Sequence, residues 1–168
     1  MLLDAGAEVR QHSLVDRVGA VLQRRQQAAA AGASLPVRFA CLCHDLGKGT
    51  TPADVLPRHL GHEERGVKLL RALCERLKVP VECRELAEVT AREHGHVHAS
   101  LALQPTAQLR LLERCDALRR PARFADLLLA CECNARGRLG LQQRDYPQRP
   151  RLLQALAFAR GVDTAAVA

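Results

Sequence analysis

Apolar residues recur along this chain at intervals of three and four, the period that lines one face of a helix. Leu14, Val15, Val18, Val21 and Leu22 make the first such run within residues 1–27, and the Ala-rich stretch from Gln26 to Ser34 reads as a fraying end and a connector. A second helix is predicted from about Pro36 to Asp45, with proline in the first turn, where its missing N–H is no loss. Gly47, Gly49, Thr50, Thr51, Pro52 and Pro57 then interrupt regular structure, leaving a loop with one short helical turn near Ala53–Leu56. A third helix opens at His62. Glu63 and Glu64 suit its positive end, Val67, Leu69, Leu70 and Leu73 fill its apolar side, and Val79-Pro80 closes it. A fourth runs from about Val81 to His94 and is expected to stop at Gly95. Pro105 opens a fifth, to about Leu118; Pro121 opens a sixth, to about Arg136 before Gly137; and a seventh covers roughly Arg151–Arg160, after the turn-rich residues 140–150. Only the run Val97–Leu103 is ambiguous, and no strand pattern or internal repeat emerges. The expected architecture is an all-α bundle of about seven helices with short links. It divides into an N-terminal helix and connector (1–34), a central core (35–122) and a C-terminal helical extension (123–168).

Composition agrees with this picture. The 168 residues are 48% apolar, enough for one real core, but only 2% aromatic with no Trp. That core must be built from Leu, Val and Ala, which suits helix packing better than a β-sandwich. No apolar run nears the roughly 18 residues that span a bilayer, and Met1-Leu-Leu lacks the length and basic flank of a signal peptide. A cytoplasmic protein without membrane contact is expected. Lys plus Arg number 25 against 18 Asp plus Glu, a net +7, and the only lysines are Lys48, Lys68 and Lys78. Guanidinium groups grip phosphate at two points, so the surface suits a polyanion such as RNA, held mainly by its backbone because few aromatics can stack on bases. A solvated Arg-rich surface accounts for the charge equally well. Seven cysteines include no C-x-x-C pair; Cys41/Cys43 and Cys131/Cys133 lie in Ala/Leu-rich helical stretches and read as small buried hydrophobes in a reducing compartment, with a zinc or redox site as the alternative.

The chemistry concentrates at His44-Asp45, a neutral nitrogen donor beside an anionic oxygen donor, between an apolar helix and a Gly-rich break. Burying that pair without a partner would be costly. His12, His62, His94 and Asp116 each fall on or near the end of another predicted helix. His94 also reads as a partner for the last helix carbonyls, His62 as an ordinary polar helix start and Asp116, between Arg114 and Arg119-Arg120, as a surface ion-pair member, and His12 is the weakest candidate. Facing helices build metal sites in bundles by sending one or two ligands each into a shared cleft. A set of His and Asp without thiolate suits magnesium, manganese, nickel, iron or zinc. Lys48, with the amides of Gly47 and Gly49, offers a place for phosphate beside the pair. His59, His96 and His98 are expected to be solvated loop residues, with service as alternative ligands or substrate contacts as the other reading.

These residues resemble the H…HD…H…H…D pattern of HD-domain metal-dependent phosphohydrolases. The runs Val37–Pro52 (VRFACLCHDLGKGTTP), Pro57–Gly66 (PRHLGHEERG), Leu112–Pro121 (LERCDALRRP) and Cys133–Arg138 (CNARGR) resemble the C-terminal half of bacterial multifunctional CCA-adding enzymes, the tRNA nucleotidyltransferases, from about Leu35 onward. The resemblance implies an all-α HD domain with 2′,3′-cyclic phosphodiesterase, 2′-nucleotidase and metal-stimulated phosphatase activity. Nickel is the metal usually associated with the last, with magnesium or manganese as other candidates. It implies metal ligands among His12, His44, Asp45, His62, His94 and Asp116, and catalytic roles for His44, Asp45, Lys48, His62 and His94. The implied partners are a tRNA or RNA 3′ end, nucleotide phosphates and, in longer relatives, a nucleotidyltransferase head. No Gly-Gly or Gly-Ser loop followed by Asp-x-Asp occurs here, so CCA addition by this chain alone is not expected. Two rival readings are a non-catalytic tRNA-binding body, in which Arg119, Arg120, Arg136, Arg138 and Arg144 matter most, and a nucleotide hydrolase of the wider HD group.

Overall fold

A computed structural model describes residues 26–138 and 140–162, which form helices joined by turns and loops, with no strand among them. His12 and the first predicted helix, apart from residues 26 and 27, lie outside the described residues, and residues 26–30, expected as a fraying end and connector, are helical. Six helices follow: α1 (Leu35–Cys43), α2 (His62–Leu77), α3 (Val81–His98), α4 (Pro105–Arg114), α5 (Pro121–Arg136) and α6 (Gln148–Gly161), with 3-10 turns at Leu46–Thr50 and Ser100–Ala102. With residues 26–30 these make seven helical segments, as the apolar periodicity predicts. No described helix is long and apolar enough to cross a membrane.

The central helix is α3, which packs against α1, α2 and α5; α5 also packs on α1 and α6, and α2 lies against the 3-10 turn that follows Asp45. The core they enclose is aliphatic, with Leu70, Leu86, Leu111, Leu127, Leu128 and Leu152 fully buried around Phe124, and all seven cysteines are buried and unbridged. Each fully buried leucine contributes roughly 1.5–3 kcal/mol.

Two helix ends differ from the pattern-based expectation. Gly95 does not stop α3, which continues to His98. A glycine inside a helix costs about 1 kcal/mol relative to alanine, but the extra turn buries Val97 completely, a gain of similar or larger size. His96 and His98 therefore stand on a helix, not in a loop. Conversely, α4 ends at Arg114, four residues early. Asp116 takes φ 53°; its N–H bonds Glu113 O and the N–H of Ala117 bonds Leu112 O, so the last carbonyls are capped by a left-handed residue. Aspartate adopts that conformation more readily than most side chains.

Candidate metal centre

His44 ends α1, its N–H bonded to Ala40 O at 3.0 Å, and Asp45 leads directly into the 3-10 turn. His62 is the first residue of α2, set up by Gly61 at φ 69°. His94 projects from the last turns of α3. A close glycine contact joins these elements. A side chain on Gly47 would overlap His62 O, and a Cβ on Gly66 would lie 3.3 Å from Gly47 N. Two glycines thus let the first turn of α2 sit directly on the 3-10 turn, carrying His62 to Asp45.

The three rings are held the same way. His44 Nδ1 donates to Cys41 O (3.1 Å), His62 Nδ1 to His59 O (2.8 Å), and His94 Nδ1 to Thr90 O and Ala91 O (both 3.1 Å). A carbonyl only accepts, so each Nδ1 carries its hydrogen, and in the neutral ring the lone pair is on Nε2. All three Nε2 atoms face Asp45: His44 at 3.2 Å from Oδ2, His62 and His94 each at 3.6 Å from Oδ1. His62 Nε2 is buried and makes no hydrogen bond. The ring centroids of His44 and His62 lie 5.0 and 5.5 Å from that of His94.

Lone pairs aimed at a carboxylate repel it, so the cluster is favourable only with positive charge among its members. Lys48 Nζ, 2.8 Å from Asp45 Oδ1, supplies some of it. Burial alone raises the Asp45 carboxyl, but the hydrogen bond and charge that His44 offers when Nε2 also carries a proton, and then Lys48, hold it well below the ordinary carboxylate range. Burial, and then the charge of His44, push His94 down to about 4 against the pull of Asp45, so it is neutral at pH 7, the form that binds metal. One donor atom from each of His44, Asp45 and His94 lies within 4.8 Å of the others. The donor set fits a divalent cation. Two or three imidazole nitrogens and one carboxylate converge, each imidazole fixed through its other nitrogen, as metal-bound histidines are.

The structure thus brings together His44, Asp45, Lys48, His62 and His94. It does not bring Asp116 to them. That carboxylate lies 3.7–3.8 Å from guanidinium nitrogens of Arg119, Arg120 and Arg123, two of which also reach Glu85 near the opposite end of α3. His59 Nδ1 pairs with Thr51 Oγ1 at 2.8 Å. His96 is exposed as expected and sits 3.1 Å from Glu93 Oε2. His98 is not solvated. Tyr146 Oη lies 2.8 Å from its Nδ1, and Asn134 Nδ2 donates to its Nε2 at 3.1 Å. The sequence places His98 in a loop after Gly95, although its four-residue offset from His94 puts both on one helix face once Gly95 is allowed inside. Sequence reasoning overlooked Glu93, only 1% exposed and held by three hydrogen bonds from Arg114. No local pattern marks that pair.

A family model described as "HD domain" matches residues 18–120. The Multifunctional CCA protein of Polaromonas naphthalenivorans is 71% identical over 141 residues, covering 84% of this chain and 33% of that protein. The protein of the same name from Paracidovorax citrulli is 66% identical over 157 residues (94% and 38%), and that from Ralstonia nicotianae 54% identical over 184 (100% and 43%). The chain therefore spans about a third to two-fifths of the curated relatives it matches. No solved structure matches it.

Proposed function

The chain belongs to the HD domain family, and from that membership we propose that it is a metal-dependent phosphohydrolase acting in the cytoplasm on phosphoesters at RNA termini or on nucleotides. The observation that carries this reading is the convergence of three Nδ1-anchored imidazoles on the buried side of Asp45. His44, Asp45 and His94 are the proposed ligands, with His62 as a further ligand or a proton donor and acceptor. Nickel, magnesium and manganese are the candidate ions. Such an ion, when bound, polarises a phosphoryl oxygen and lowers the pKa of a water molecule. The chain's own groups do the rest. Lys48, partly exposed beside Asp45, turns its ammonium to an incoming phosphate and neutralises charge that grows during hydrolysis. His62 Nε2, buried and without a hydrogen bond, is placed to take or deliver a proton. Asp116, already paired with three arginines, is left out of the ligand set. His12 keeps its place only as an expectation.

Elemental analysis of the purified protein, joined to an assay with 2′,3′-cyclic nucleotides, tests the reading. Asp45→Asn should remove metal and turnover together while the helical circular dichroism stays. Full turnover in that variant would remove the proposed site. A second reading draws on the short span of the relatives that the chain covers: it is the tRNA-holding body of a longer enzyme, including Arg119, Arg120, Arg136, Arg138 and Arg144. In that case tRNA binding falls steeply with salt and no ester is cleaved.

A further inference from the structure

His98 separates the metal cluster from a second space. Its ring lies edge-on to His94 at 6.1 Å on one side and to Tyr146 at 5.7 Å on the other. Beyond it is a pocket of about 330 Å³ whose walls include His98, Leu101, Arg138, Arg144, Tyr146 and Gln148. None of these groups is used by the reaction as described above.

Three features of the pocket point to a ligand. Gln148 Nε2 donates to His98 O at 3.1 Å. That bond fixes the amide, because the reverse orientation would set two oxygens against each other. Gln148 Oε1 is then buried with no donor from the protein. A buried acceptor without a partner is costly, a deficit that a ligand hydroxyl or amino group would remove. Secondly, Arg138 and Arg144 are exposed cations on the pocket wall, and guanidinium groups bind phosphate in a two-point geometry. Thirdly, the volume is at the lower end of small-molecule sites, and Leu101 gives it an apolar surface.

We propose that this pocket is the nucleoside subsite for the ester whose phosphate is cleaved at the His44-Asp45-His94 cluster. Gln148 accepts a hydrogen bond from the sugar or base, and Arg138 and Arg144 hold a neighbouring phosphate. His98 is a positioning residue, bonded to Tyr146 and Asn134, that keeps the two spaces in register. The proposal rests on the hydrolase reading for its cleaved bond, but not for its ligand.

The test compares adenosine 2′,3′-cyclic phosphate bearing a 5′-phosphate with bis(p-nitrophenyl) phosphate, a diester without a nucleoside, in the wild type, Gln148→Ala and the double variant Arg138→Ala/Arg144→Ala, at one divalent metal concentration. The ratio of kcat/KM for the nucleotide to that for the simple diester should fall about tenfold or more in each variant, chiefly through KM. Equal loss on both diesters, or no change in the ratio, overturns the proposal. Calorimetric binding of adenosine 2′,5′-bisphosphate to metal-free protein gives an arm independent of turnover. Binding that weakens about tenfold or more in the variants while no diester is cleaved by the wild type supports the pocket and refutes the hydrolase. Binding of equal strength in wild type and variants refutes the pocket.

Discussion

Replacing Gly47 with alanine would drive a methyl group into the carbonyl oxygen of His62 and the amide nitrogen of Gly66. Both are backbone atoms, so no side-chain rotation relieves the overlap; the 3-10 turn and the start of α2 must part. Overpacking typically costs 1–3 kcal/mol, and rigid neighbours put this case at about 3 kcal/mol. For a domain of this size that lowers Tm by about 6–12 °C. The functional effect is selective. His44 and Asp45 precede Gly47 and His94 stands on α3, whereas His62 rides on the helix that moves. Its Nε2 leaves its place 3.6 Å from Asp45 Oδ1. A displacement of about 1 Å is enough to cost ~100-fold in rate, while the remaining ligands still hold metal. Gly49→Ala is the matched control: a Cβ there meets nothing within 4 Å, and its φ lies outside the left-handed range, so its stability change should stay within about 0.5 kcal/mol. Thermal melts followed by circular dichroism, with metal content and hydrolysis rates for both variants, decide the matter. Equal Tm values for the two variants would refute the packing argument, and full hydrolysis in a destabilised Gly47→Ala would refute a role for His62.

Three further outcomes are expected. Metal at 100 times its Kd should stabilise the folded protein by about 2.7 kcal/mol, seen as a rise in Tm that vanishes in Asp45→Asn; an equal rise in that variant would place the ion elsewhere. In metal-free protein, stability should be full above pH 6.5 and fall as the pH drops toward 4. Burial depresses the folded-state value of His98 to about 4, so the unfolded chain binds the extra proton across that window, a loss of about 3 kcal/mol at pH 4 from this group alone; urea midpoints that do not move between pH 7 and 4.5 contradict it. Arg114→Met should destabilise more than Glu93→Gln, because Glu93 is 2% exposed at its side chain and Arg114 43%. Losing the arginine strands a buried charge, at about 3–5 kcal/mol, whereas an orphaned Arg114 can turn to water. Denaturant titrations giving the reverse order would show that the pair is not buried as described.

Much of the helical plan was legible because its signals are local. Pro121 and Gly137 bracket α5 where the pattern puts them, and Glu63-Glu64 mark the start of α2. Gly95 misled because helix propensity is a small term that the burial of Val97 outweighs. Asp116 shows the same limit for chemistry. Its position late in a predicted helix left two readings open, a ligand or an ion-pair member among the arginines, and only the left-handed cap, which ends the helix early and leaves the carboxylate with the arginines, separates them.

By itself the amino-acid order determined that the chain is helical, where most helices begin and end, and that His44 and Asp45 act together, since neighbours in sequence are neighbours in space. Only the tertiary structure decided which distant groups reach them. His62 arrives because Gly47 and Gly66 permit two backbones to touch, His94 because α3 is buried between α1, α2 and α5, and His98 because the same helix continues one more turn. Periodicity along a chain reports which face of an element is apolar. It carries no information about the approach of two elements, which is set by packing among residues far apart in sequence.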